Sequence, residues 1–111
     1  MKLADRVREA LADIEDLEEK RMFGGLCFMV NGKLCIGAKE EEVMFRIGPD
    51  EYPAALEKAG CRPMWHSGRE MKGYVFVDGD ALRTKKEFDY WINASLTYNK
   101  IAKAAKPKKK K

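Results

Sequence analysis

One histidine and three cysteines are all that the 111 residues offer by way of metal-ligating or nucleophilic side chains beyond carboxylates and hydroxyls. Catalytic zinc sites use three protein ligands and structural ones four, at characteristic spacings. Here Cys27, Cys35, Cys61 and His66 form neither a C-x-x-C nor an H-x-x-H pair. Three thiols without a pairing logic suit a reducing compartment. The phosphate-cradling patterns G-x-x-x-x-G-K-S/T and G-x-G-x-x-G are absent, as is the G-x-S-x-G nucleophile elbow. Ser67 beside His66 is adjacency rather than a dyad. The expectation is a chain with no catalytic, cofactor-binding or metal residues, and so not an enzyme. No apolar run approaches the roughly 20 residues of a membrane-spanning helix. The N-terminus MKLADRVREALADIEDLEEK carries acids where a signal peptide would hold an uninterrupted apolar segment. A cytoplasmic protein without membrane association is expected.

What is present argues for a folded domain. Hydrophobic residues make up 45% of the chain against 36% charged, too apolar for a disordered protein and of a length that one domain fills. The net charge of +4 is unevenly placed. Residues 100 to 111 hold seven lysines and no acid, whereas the first 99 carry 15 basic and 18 acidic side chains. The division expected is a domain over 1–102 and a disordered Lys-rich tail over 103–111. Within the tail Lys106, Lys108, Lys109, Lys110 and Lys111 are candidate nucleic-acid contacts, although no aromatic interleaves with them to stack on bases.

Leu3, Val7, Ala10, Leu11, Ile14 and Leu17 recur at spacings of three and four, which predicts an amphipathic helix ending near Lys20. Leu26–Val30 and Leu34–Ala38 then flank Asn31-Gly32, the strongest two-residue hairpin signal. With Val30 and Lys33 beside the turn, Met29 faces Leu34, Phe28 faces Cys35 and Cys27 faces Ile36. Cys27 and Cys35 then project from opposite faces, which forbids a disulfide between them. Val43–Ile47 supplies a third strand, with Met44 and Arg46 on the face opposite Val43, Phe45 and Ile47. Gly48-Pro49 ends it, and Asp50 is placed to cap a helix over 51–59 that Gly60 closes. Residues 61–72 suit a ragged strand and a loop, Tyr74–Val77 a short strand. Thr84-Lys85-Lys86-Glu87 has capping-box spacing ahead of a long helix with Phe88, Trp91, Ile92, Ser95, Tyr98 and Ala102 on one face.

The predicted fold class is α+β: an antiparallel sheet of about five strands with helices packed on one face, in the order α-β-β-β-α-β-β-α. The hairpin is apolar on both sides, with Leu26, Phe28, Val30 and Cys35 on one and Cys27, Met29, Leu34 and Ile36 on the other. Its second side should therefore be buried by a second copy or an unidentified protein partner, a homodimer being expected. Arg21, Arg46 and Lys72 are candidates for a cationic patch on the sheet, the competing expectation being ion pairs with Glu40–Glu42 or the helix acids.

The strings Arg21-Met22-Phe23-Gly24-Gly25, Met44-Phe45-Arg46-Ile47-Gly48-Pro49, Arg62-Pro63-Met64 and Met71-Lys72-Gly73-Tyr74-Val75 resemble the N-terminal domain of the TfoX/Sxy family over roughly residues 1 to 100. The resemblance implies a secretion-chaperone-like α+β fold that is often dimeric. It also implies a bacterial regulatory role: full-length members act in DNA-uptake competence with a cyclic-AMP receptor transcription factor. They carry a second, helical-hairpin domain, for which the lysine tail after the last helix leaves no room. The family supplies no catalytic residues. Arg21, Met22, Phe23, Gly24, Gly25, Arg46, Met71, Lys72 and Gly73 match its motifs and are candidates for a partner surface or for conformational signatures.

Overall fold

A computed structural model describes residues 2–22 and 24–102. The elements run α1 Leu3–Ala10, β1 Leu17–Met22, β2 Gly25–Val30, β3 Lys33–Ala38, β4 Glu42–Arg46, α2 Tyr52–Ala55, β5 Cys61–His66, β6 Arg69–Asp78, a 3₁₀ turn Gly79–Leu82 and α3 Lys85–Asn99. All strand pairs are antiparallel, in the spatial order β1-β2-β3-β4-β6-β5. The α+β architecture read from the sequence holds, with one strand more than expected.

That extra strand replaces the second half of the predicted first helix. After Ala10 the chain turns, and Leu17–Met22 pairs along β2 from Leu17 opposite Val30 to Met22 opposite Gly25. Without it the outer edge of β2 would leave a row of backbone donors and acceptors unpaired, and that ladder outweighs the weak helical preference of Glu18-Glu19-Lys20. The new edge is itself charged and exposed from Glu18 to Arg21, the usual defence of an edge strand against further pairing. Glu19 instead closes an ion pair with Arg8 of α1.

Three further corrections are local. Asp50 does not cap α2; Glu51 occupies the N-cap without a side-chain hydrogen bond. The helix spans only 52–55, giving way to i→i−3 bonds at Glu57 and Lys58. Of the ragged strand and loop expected over 61–72, the strand is present as β5 and the loop is instead a tight hairpin turn into β6, made by Ser67 and Gly68 with φ of 53° and 78°, the same left-handed pair that Asn31 and Gly32 form at 55° and 75°. In the first hairpin the predicted register survives for Val30–Lys33 and Met29–Leu34 and then slips. Phe28 pairs with Ile36, and Cys27 with Gly37, because Cys35 is the extra residue of a bulge. Ile36 thereby moves to the helix side of the sheet.

Helices cover one face. Leu3 and Val7 of α1, Tyr52 and Ala55 of α2, and Phe88, Trp91 and Ile92 of α3 pack with Phe28, Ile36, Val43, Phe45, Val75 and Val77. Trp91 stacks on Phe45 with ring centroids 5.7 Å apart. Thr84 caps α3 as predicted, its Oγ1 accepting from Glu87 N at 3.2 Å.

Candidate functional site

Among the described residues no helix covers the other face of the sheet. All six strands contribute to it: Met22 from β1, Cys27 and Met29 from β2, Leu34 from β3, Met44 from β4, Met64 from β5, and Met71, Tyr74 and Phe76 from β6. Five of the chain's six methionines lie here. Cys27, Leu34, Met44 and Met64 are buried, while the others are half-buried and present thioether and ring edges to the surface. Backbone alternation explains the sorting: on β4 Val43 and Phe45 point to the helices, and Met44 points to the open face. Gly73 interrupts this alternation on β6. At φ 98° it lets Met71 and Tyr74, three positions apart, share the open face.

Polar groups rim the patch. Lys39 Nζ lies 4.9 Å from the Phe76 ring centroid, and Arg62 pairs with both Glu42 and Asp78. Arg46 donates to the Leu34 carbonyl at 3.3 Å, with its guanidinium 5.2 Å and 5.6 Å from the rings of Tyr74 and Tyr98.

The sequence candidates distribute as follows. Met22 and Met71 belong to the open face. Arg21 is exposed on the edge strand, and β2 and β3 separate it from Arg46, so the sheet order does not gather Arg21, Arg46 and Lys72 into one patch. Lys72 is exposed on β6. Of the acids expected to answer those cations, Glu42 pairs with Arg62 and Lys39. Three glycines of the matching strings have conformational duties. A Cβ on Gly25 would sit 2.6 Å from the Ala38 carbonyl oxygen, and one on Gly73 would sit 3.0 Å from the Gly48 backbone. The Gly73 carbonyl accepts from both Ile47 N and Gly48 N, so the end of β4 and the bend in β6 are one backbone joint. Gly24, at φ 76°, turns β1 into β2. Phe23 and the tail lysines Lys106 and Lys108–Lys111 lie outside the described residues.

The thiols divide between the faces. Cys35 is buried against the helices and its thiol is pushed up to about 12, while that of half-buried Cys61 is pushed up to about 11, desolvation being the main cause in both. Burial also raises Cys27, with the Lys39 charge opposing it. A thiol protonated at neutral pH is a poor nucleophile. His66 is exposed at the end of β5, opposite Arg69. Among the described residues no three of His, Cys, Asp and Glu converge as a metal cluster, and no helix is long and apolar enough to cross a membrane.

Sequence alternation puts Cys27, Met29, Leu34 and Ile36 on one side of the hairpin and Met44 opposite Val43 and Phe45; of the first four and Met44, all but Ile36 belong to the open face. Alternation misses Met64 and Phe76, whose placement depends on the β4-β6-β5 order.

No curated protein matches the sequence. A crystal structure of a protein from Pseudomonas syringae is similar in fold, with a TM-score of 0.65 at 13% identity, covering 89% of this chain and 99% of that one. The family model of the TfoX N-terminal domain matches residues 9–98, a span that begins in α1 and reaches the last turn of α3. The chain belongs to the TfoX N-terminal domain family.

Proposed function

We propose that this chain is a non-enzymatic bacterial regulatory or adaptor domain that acts through protein–protein contacts, in transcriptional or competence-related regulation in the cytoplasm, and that it works as a homodimer. The observation that carries this reading is the methionine-rich face spread over all six strands, with no helix upon it among the described residues. Contiguous apolar surface at that position marks interaction sites. Unbranched, polarizable methionine side chains repack against different partners at small cost. A two-fold dimer would set the same patch on itself. Family membership supports the regulatory class.

A second reading rests on the lysines of the tail, seven in residues 100–111, which would hold phosphates of a nucleic acid. Seven phosphate contacts give a salt slope of about −6 on duplex DNA.

Lysate capture separates the two. The baits are the full chain, residues 1–102, and a full chain carrying Met29→Glu and Met71→Glu, each with and without nuclease. A protein retained by the first two baits and lost on the third supports the adaptor reading. Recovery that requires 103–111 and disappears with nuclease moves the function to nucleic acid.

A further inference from the structure

Three large hydrophobic side chains stay exposed among the described residues, and two of them, Tyr90 and Ile101, line one cavity of about 420 Å³ on the helix side of the sheet. Its long wall belongs to α3 and the residues just beyond it. Tyr90, Ala94, Thr97 and Ile101 recur there at spacings of three and four, beside the core-facing stripe of Phe88, Trp91, Ile92 and Ser95. The facing wall is the segment that leaves β4, through Ile47, Gly48, Asp50 and Glu51. The two walls meet at Gly48, where a Cβ would sit 2.4 Å from the Tyr98 ring. A space of this size, mostly apolar with a few polar groups, is what a small organic ligand requires.

Charge decides which ligand. No Lys, Arg or His lines the cavity, whereas Asp50 and Glu51 do, and neither carboxylate is engaged in a hydrogen bond or ion pair among the described residues. The nearest cations are committed elsewhere. Lys58 rests 4.4 Å from the Tyr90 ring centroid and pairs with Glu87, and Arg46, 5.6 Å from the Tyr98 ring, donates to the Leu34 carbonyl. Tyrosine rings attract cations over their faces, so both aromatic walls and both carboxylates favour positive charge. We propose that this cavity binds a small organic ammonium. Its aromatic or alkyl body packs among Ile47, Ala94, Ile101 and the tyrosine rings, and its protonated amine donates to the carboxylate of Asp50 or Glu51. Binding is noncovalent, and the amine keeps its proton. The cavity lies on the side of the sheet away from the methionine-rich face, so the site does not depend on self-association of the domain.

The probe is tryptamine, cationic at neutral pH, with tryptophol, in which a hydroxyl replaces the amine, as its neutral counterpart. Each is titrated into the full chain and followed by backbone amide chemical shifts. Tryptamine should bind saturably with a dissociation constant of about 1 mM or tighter, moving the amides of Tyr90, Thr97 and Ile101. Tryptophol should bind roughly fivefold more weakly or worse. Asp50→Asn with Glu51→Gln, both at exposed positions, should erase that preference. Thr97→Trp, also exposed, should fill the cavity and weaken tryptamine at least tenfold, with circular dichroism unchanged in every variant. The site is overturned by a parent that does not saturate, by tryptophol binding as tightly as tryptamine, which is an unselective apolar groove, or by a folded Thr97→Trp variant that binds as the parent does. Tryptamine binding that emerges only after Lys103, Lys106 and Lys108–Lys111 are replaced by Gln would overturn it too, by giving the cavity to the chain's own end. Binding that weakens as the chain's concentration rises would give the cavity to a second copy.

Discussion

The side chains of Asn31 and Asn99, 68 positions apart, join the first hairpin turn to the end of α3: Asn31 Nδ2 donates to Asn99 Oδ1 at 3.2 Å. Asn99, buried, passes the connection on by donating to the Val30 carbonyl at 3.1 Å, and Lys33 Nζ donates to the Asn99 carbonyl at 3.0 Å. The helix that covers the core is thus latched to the same turn that sets the β2–β3 register.

Breaking that latch from its buried side should cost more than breaking it from the turn. Asn99→Leu leaves the Val30 carbonyl without its partner and should lower stability by about 1–3 kcal/mol. Asn31→Gly keeps the left-handed turn and removes one partly exposed bond, for about 0.5–1.5 kcal/mol. Urea midpoints at constant slope measure both. Equal losses would mean that the buried amide is not the central link.

The glycine joints predict a sharp contrast. An alanine at Gly48 would combine φ 92° with a Cβ 2.4 Å from the Tyr98 ring, so strain and overpacking together should cost roughly 2–5 kcal/mol. At Gly68, φ is 78° but nothing lies within 4 Å of the added atom, and the cost should be the conformational one alone, roughly 1–2 kcal/mol. Thermal unfolding of Gly48→Ala and Gly68→Ala checks the order, and a smaller loss at Gly48 would contradict the close approach of α3 to the end of β4.

Alkaline pH should destabilise the fold. Cys35 and Cys61 rise from an ordinary 9.0 to about 12 and about 11, so the folded state holds their protons more tightly than the unfolded chain does. Their contribution is complete below pH 9 and is lost as pH climbs through those folded values. Tyr52, raised by burial and by its hydrogen bond to Glu70, adds to the decline from about pH 10 upward. Unfolding free energy should fall between about pH 9 and about pH 11, and Cys35→Ala with Cys61→Ser should flatten the slope. A parent curve that is flat or rising over that interval would contradict the assignment.

Much of this was legible in the chain because the signals were local. Asn31-Gly32 needs positive φ at two successive residues, and Thr84 with Glu87 forms a cap within one turn, so neither depends on distant contacts. Leu17–Met22 was illegible as a strand for the opposite reason: its helical spacing is intact, and only the unpaired edge of β2, defined elsewhere, converts it. The bulge at Cys35 likewise follows from packing Ile36 under the helices rather than from a local cue. For the candidate site, alternation separates Phe28 and Phe45 from Cys27 and Met44, and the placement of the helices is what puts the latter two on the open side. That Gly37 stands between them depends on the slipped register and on the β3–β4 pairing, which no single segment encodes.

The central claim is that the open methionine-rich face is an interface between copies of this chain. Sedimentation velocity across a micromolar concentration series, comparing the parent with Met29→Glu and Met71→Glu, tests it most directly. Both methionines are half-buried on that face. The parent should sediment at twice the 12.7 kDa chain mass and the double variant as a folded monomer. A parent that remains monomeric, or a variant that dimerises as well as the parent, would contradict the account.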